Sequence, residues 1–187
     1  ITMTPDGNEI YYCISIGSFT YATIIKVKQE NGFWSEPEVM KYMDNPEEMN
    51  IEPAISPDGK KFFFLSNRID SVSGDTAIGD QDIWVMDRIG NDWSKPYNLG
   101  GPVNSEAPEF YPSLTNDGTI YFSRADPTTR IHYIFRSKLI YGKYQEPEKL
   151  PEQVNSGRSQ FNAFVAPNES YIIVPTFGRE DSYGLTD

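Results

Sequence analysis

Three acidic residues, Glu52, Glu109 and Asp126, are the side chains best suited by position to acid and base work. Cleavage of a glycosidic bond needs one carboxyl group to give a proton and a second to act as base or nucleophile. Abundance weakens that signal, since 27 of the 187 residues are Asp or Glu. Other chemistry is more constrained. His132 is the only histidine, which excludes metal sites built on several imidazoles and leaves a Ser-His-Asp triad a single candidate base. No Gly-x-Ser-x-Gly elbow presents a serine. Asp70, Asp75, Asp80 and Asp82 could offer oxygens to calcium, but their spacing matches no calcium loop and they read as a solvated connection. No metal and no cofactor is expected. Trp34, Trp93 and Tyr144 could form a sugar-stacking platform. Their fixed place in a repeat favours packing of one sheet on the next.

The elements that must carry these residues emerge from self-similarity. Thr4-Pro5-Asp6-Gly7, Ser56-Pro57-Asp58-Gly59, Thr115-Asn116-Asp117-Gly118 and Ala166-Pro167-Asn168-Glu169 each precede an apolar run, at periods of 52, 59 and 51 residues. Trp34, Trp93 and Tyr144 each stand three residues before a proline, at periods of 59 and 51, and Asn45, Asn104 and Asn155 follow those prolines by eight residues. Each unit reads as four short strands, A to D. Strand A is 51–56. Strand B is 61–66, 120–123 and 171–174, and strand C is 23–28, 82–87 and 132–139. The Asp-Gly pairs are tight turns between A and B, because glycine takes positive φ without a clash and aspartate bonds the neighbouring backbone. An Asp box of the sialidase type, with one residue between Asp and Gly and a following Trp, is not present.

Four antiparallel strands repeated every fifty residues or so predict an all-β β-propeller, with about 3.5 blades at units 1–45, 46–104, 105–155 and 156–187. A β-sandwich is the alternative. The chain opens near the end of a strand A and stops after a strand B, so a fragment of a larger ring is expected, with closure by a partner chain as the other reading. The lone Cys13 lies in an apolar stretch and is expected to be a small buried hydrophobe. A net charge of −11 without a Lys/Arg cluster argues against nucleic acid, and no segment is expected to insert in a membrane.

The run Glu52-Pro53-Ala54-Ile55-Ser56-Pro57-Asp58-Gly59, then Ser66-Asn67-Arg68, then Asp82-Ile83-Trp84, resembles the WD-like propeller repeats of TolB-type bacterial envelope proteins. The segment 111–123 resembles them again. That resemblance implies a ring of five or six blades and an extracytoplasmic location, in the periplasm or on an outer-membrane lipoprotein. It assigns no activity.

Short A–B and C–D turns leave the long B–C and D–A connections on the opposite end of each blade, where binding residues concentrate. Candidate ligand-binding residues at the starts of the A strands are Asn50 and Glu52, Glu109 and Tyr111, and Gln160 and Asn162, with Arg68, Arg124 and Arg179 expected just past strand B. The expected function is a non-catalytic scaffold for a protein or a glycan or cell-wall ligand. The alternative is a glycan-processing enzyme using Glu52, Glu109 and Asp126, and a third reading is a pure assembly module.

Overall fold

The computed structural model describes residues 1–17, 21–70 and 81–187. Among the described residues every regular element is a β-strand. The chain divides into two compact units, Ile1–Asn98 and Leu99–Asp187, each built from successive repeats.

In the first unit, blade 1 comprises β1 (Thr2–Met3), β2 (Glu9–Ile16), β3 (Tyr21–Glu30), β4 (Phe33–Trp34) and β5 (Glu38–Val39). Blade 2 comprises β6 (Asn50–Ile55), β7 (Lys61–Ser66), β8 (Asp82–Ile89), β9 (Asp92–Trp93) and β10 (Tyr97–Asn98). In the second, blade 3 comprises β11 (Glu109–Leu114), β12 (Ile120–Ala125), β13 (His132–Ser137), β14 (Leu139–Ile140), β15 (Lys143–Tyr144) and β16 (Glu148–Lys149). The fourth repeat comprises β17 (Ser159–Gln160), β18 (Phe164–Val165), β19 (Ile172–Ile173) and β20 (Thr176–Phe177). Neighbouring strands are antiparallel throughout, in the sequential order A-B-C-D within each complete blade.

Strand D comes in two pieces because of the repeated proline. A proline has no N–H to give a ladder, so β4 and β9 pair as hairpins with the ends of β3 and β8, and β5 and β10 resume the ladder after Pro37 and Pro96. The A–B turns follow one recipe. Thr4, Ser56 and Thr115 donate their hydroxyls to Asp6, Asp58 and Asp117 at 2.6, 2.7 and 2.5 Å. The same aspartates accept the amides of Asn8, Lys60 and Thr119. Gly7, Gly59 and Gly118 then take φ of +74°, +71° and +84°. The fourth turn keeps this geometry without glycine: Asn168 accepts from Ser170 N, and Glu169 takes φ +57°. The Glu169 carboxylate accepts the Tyr121 hydroxyl of blade 3 at 2.6 Å.

Between blades 1 and 2 lies a core of Tyr11, Ile24, Met40 and Met43 against Phe62, Phe64, Trp84, Met86 and Trp93. Full burial of each Phe contributes about 1.5–3 kcal/mol. Trp93 confirms the packing role expected of the repeated aromatic, since it is 4% exposed and donates its Nε1–H to the Tyr11 hydroxyl at 2.8 Å. Trp34 does not share that role, being 45% exposed. A second core joins blades 3 and 4 through Tyr121, Ile134 and Leu150 against Ala163 and Val165. Cys13 is exposed, contrary to expectation. It lies on β2 opposite Ile24, nearer the strand end where residues 13–16 are solvent-facing.

Candidate functional site

The starts of the A strands share a distortion that the sequence pattern does not announce. Glu52, Tyr111 and Asn162 occupy the same register in blades 2, 3 and 4, and each has a left-handed backbone, at φ of +56°, +55° and +57°. The β6–β7 ladder slips between Ile51 and Ala54 and the β11–β12 ladder between Phe110 and Ser113, so these residues sit on β-bulges. In blade 4 Asn162 lies in the break between β17 and β18, which pair with β20 and β19. A non-glycine residue held in this region costs of order 1–3 kcal/mol, and bulges of this kind re-aim a side chain.

Two residues earlier, Asn50, Glu109 and Gln160 are fully buried. A buried polar group needs partners, and in blades 2 and 3 an arginine supplies them to the oxygen, while Asn50 Nδ2 has none among the described residues. Arg68 donates to Asn50 Oδ1 at 2.5 Å and to the Tyr42 carbonyl at 3.1 Å, and pairs with Glu48 at 3.2 Å. Its guanidinium lies over the rings of Phe64 and Trp84. Ser66 completes the arrangement by donating to Asn50 Oδ1 and accepting from Arg68 Nε, while Asn67 accepts the Met49 amide. The Ser-Asn-Arg motif therefore sews the end of strand B to the start of strand A and to the preceding D–A loop.

Arg124 does the same in blade 3. It donates to Glu109 Oε1 at 2.7 Å and to the carbonyls of Pro102 and Val103, and it lies over Phe122 and Phe135. Ser105 donates its hydroxyl to the same Oε1 and its amide to Oε2. Burial nonetheless pushes the Glu109 carboxyl above its ordinary value, against the opposing pull of Ser105 and Arg124. Arg124 lies inside β12, opposite Glu109, rather than past the strand as expected.

Blade 4 lacks the clamp. Thr176 is the ladder partner of Gln160, and neither Gln160 Oε1 nor Nε2 has a hydrogen-bond partner among the described residues. Arg179 instead grips Asp181 through Nε and Nη2 at 2.8 and 2.7 Å.

Of the carboxylates considered for acid–base chemistry, Glu109 is engaged by Arg124, and Asp126 accepts the amide and hydroxyl of Thr129 and the amide of Thr128, which hold it below the ordinary carboxylate range. Sequence reasoning missed an aromatic strip in the second unit: the His132 ring stacks on Phe110 at 5.1 Å, and Tyr111 lies 6.3 Å from Phe110 and 6.4 Å from Phe161. All four are half-buried. The spacing Phe110-Tyr111 and Phe161-Asn162, at the repeat period, was the available signal. Among the described residues no group of three acidic, His or Cys side chains is arranged to hold a metal. Asp75 and Asp80, weighed for calcium, lie outside the described residues.

No family model matches the chain, and no curated protein matches it either. Among solved structures, one from work on two prolyl endopeptidases matches 92% of this chain at 14% identity with a TM-score of 0.60. The fold is a β-propeller. This chain spans 22% of that endopeptidase chain. A puromycin-hydrolysing peptidase of Mycobacterium tuberculosis matches 82% of this chain at 12% identity, with a TM-score of 0.46 and 30% of its own chain covered. At 14% identity the likeness to the endopeptidase structure is one of propeller architecture alone.

Proposed function

We propose that this propeller segment is a non-catalytic binding module of the bacterial cell envelope, which recognises a protein or glycan ligand at the loop-bearing ends of its blades. The observation that carries the reading is the repeated left-handed residue. Backbone conformation is the same at Glu52, Tyr111 and Asn162, yet the head group changes from acid to phenol to amide. A rigid frame that fixes position and varies chemistry is how a scaffold builds a recognition surface, and the cost of three strained residues is offset where their side chains act. Engagement of Glu109 by Arg124, and of Asp126 by its own loop, supports binding over acid–base chemistry. The envelope location rests on the resemblance to TolB-type repeats.

The test presents the purified chain with defined glycans and envelope proteins one at a time by calorimetry, alongside Tyr111→Ala and Asn162→Ala. Binding that weakens about tenfold or more in these variants (roughly 1.4 kcal/mol) supports the reading. Turnover of a glycoside that disappears in Glu109→Gln would replace it with the glycan-processing alternative.

A further inference from the structure

An open cleft of about 550 Å³ lies in the second unit between the segments 156–158 and 178–181. These segments flank β17 and β20, whose ladder pairs Ser159 with Phe177 and Gln160 with Thr176, so the two walls are held by backbone. The Arg158 amide adds a bond to the Phe177 carbonyl at 2.8 Å. The volume lies in the ordinary range for small-ligand sites, but the lining does not. Such sites are mostly apolar. This one is walled by Arg158, Arg179, Glu180 and Asp181, with one serine and two glycines, and has no apolar side chain.

Both glycines shape it. A Cβ on Gly157 would collide with Thr176 and the Phe177 carbonyl oxygen, and Gln160 Nε2 lies 3.3 Å from that Cβ position, so the unpaired amide sits directly behind the glycine. Gly178 has φ +75°, and a Cβ there would come within 2.9 Å of Arg158 Cγ and Cδ. The stem of Arg158 is therefore laid across the bare face of Gly178. Its guanidinium has no side-chain hydrogen bond or ion pair among the described residues. Arg179, in contrast, is fixed to both oxygens of Asp181.

An arginine left open in a chain of net charge −11 invites an anion. The neighbouring carboxylates select among anions. Glu180 and Asp181 would repel a phosphate carrying −1.5 to −2 charges more strongly than a single carboxylate. A peptide terminus would find no apolar wall for its side chains. Planar groups with paired donors or acceptors suit a ligand made of carboxylate and adjacent hydroxyls.

We propose that this cleft binds a carboxylated sugar, a hexuronic acid unit of an acidic glycan, with Arg158 taking the carboxylate and Glu180 and Asp181 accepting from ring hydroxyls. The assignment rests on the binding-module reading above and gives it a ligand class.

Calorimetry of the whole chain against a trigalacturonate, the matching neutral galactose trimer, a sugar phosphate and an acidic peptide tests it. The uronate binds at least tenfold more tightly than the other three. Arg158→Gln loses at least tenfold for the uronate with an unchanged Tm, and Arg158→Lys, which keeps charge without the fork, recovers part of it. Equal binding of the neutral trimer, preference for the phosphate or the peptide, or indifference to Arg158→Gln overturns the proposal. If the uronate fails while a neutral glycan or a protein binds through Tyr111, the module stands and the uronate site falls. If no ligand of any class binds, both fall.

Discussion

Blades 2 and 3 bury a polar residue at the start of strand A with its oxygen held by an arginine, whereas blade 4 buries Gln160 with the oxygen as well as the nitrogen of its amide unpaired; in blade 2 only the nitrogen of Asn50 is. The two clamps do not arise from equivalent positions. Arg124 is the ladder partner of Glu109, while Arg68 lies two residues past Ser66, the partner of Asn50. Both guanidiniums nevertheless reach carbonyls of the preceding D–A loop and stack on the aromatic of strand B. The requirement is therefore local and electrostatic: something cationic and planar must satisfy the buried group and the loop carbonyls together. In blade 4 the ladder position is Thr176 and the position two beyond is Gly178, so neither route is open, and the same space borders a cleft.

The largest effect should come from Arg124→Ala. It leaves the Glu109 carboxylate buried with only Ser105, an uncompensated charge that costs about 3–5 kcal/mol. Arg68→Ala leaves Asn50 Oδ1 with the Ser66 hydroxyl as donor and removes the partner of the more exposed Glu48 carboxylate, and should cost less, about 1–3 kcal/mol. Hydrogen exchange resolved by peptide reads the second unit for the first variant. Tryptophan fluorescence reads the first unit for the second variant, because Trp34, Trp84 and Trp93 all lie there. Equal losses would show that the charge of the buried partner is immaterial and break the comparison.

A smaller effect separates Glu109 from the other buried glutamate. Burial pushes the Glu9 carboxyl up, but Arg88, at 2.6 Å, with Tyr11 and Lys28, brings it below its ordinary 4.5. A depressed carboxyl contributes stability that is present above its unfolded value and lost as pH falls through the folded one. Glu109 is raised, so its contribution has the opposite sign: present below the unfolded value and fading as pH rises through the folded one. Acidification from pH 6 to below 4 should destabilise the first unit through Glu9, and Glu9→Gln should flatten that slope in tryptophan fluorescence. Glu109→Gln should remove an opposite slope from exchange in the second unit. Slopes of one sign in both units would contradict the assigned directions.

Much of this architecture was legible because repeats report one another. Asp6, Asp58 and Asp117 marked three turns, and the prolines 37, 96 and 147 marked the break in strand D. The site was legible only as a place. Asn50, Glu109 and Gln160 were found in register, but that they are buried depends on the bulge beside them. Nothing in Glu52-Pro53 or Asn162-Ala163 reveals a left-handed backbone, since that conformation is imposed by strands on both sides of the slip. Arg68 and Arg124 looked like open ligand groups because a sequence cannot show the carbonyls they reach. The repeated asparagine marks the register without one shared role: Asn155 bonds the backbone of Ile134 and Leu150, whereas Asn45 bonds within its own loop to Glu47 and Glu48.

The smallest effect tests the unclamped blade itself. Replacing a satisfied buried group destabilises, whereas replacing one that lacks partners with an apolar residue of similar shape is close to neutral or stabilising. Gln160→Met keeps the length of the side chain and removes both unpaired atoms. Its cost should lie within about 0.5 kcal/mol of zero, on either side. Asn50→Leu, at the equivalent clamped position, should lose about 1–3 kcal/mol because Arg68 and Ser66 both lose the Oδ1 acceptor they share. Urea unfolding of the two variants beside the parent measures the difference. A loss above about 2 kcal/mol for Gln160→Met would mean that its amide is satisfied after all, through Gly157 from the cleft side, and blade 4 would then join blades 2 and 3 with a different partner in the arginine's role.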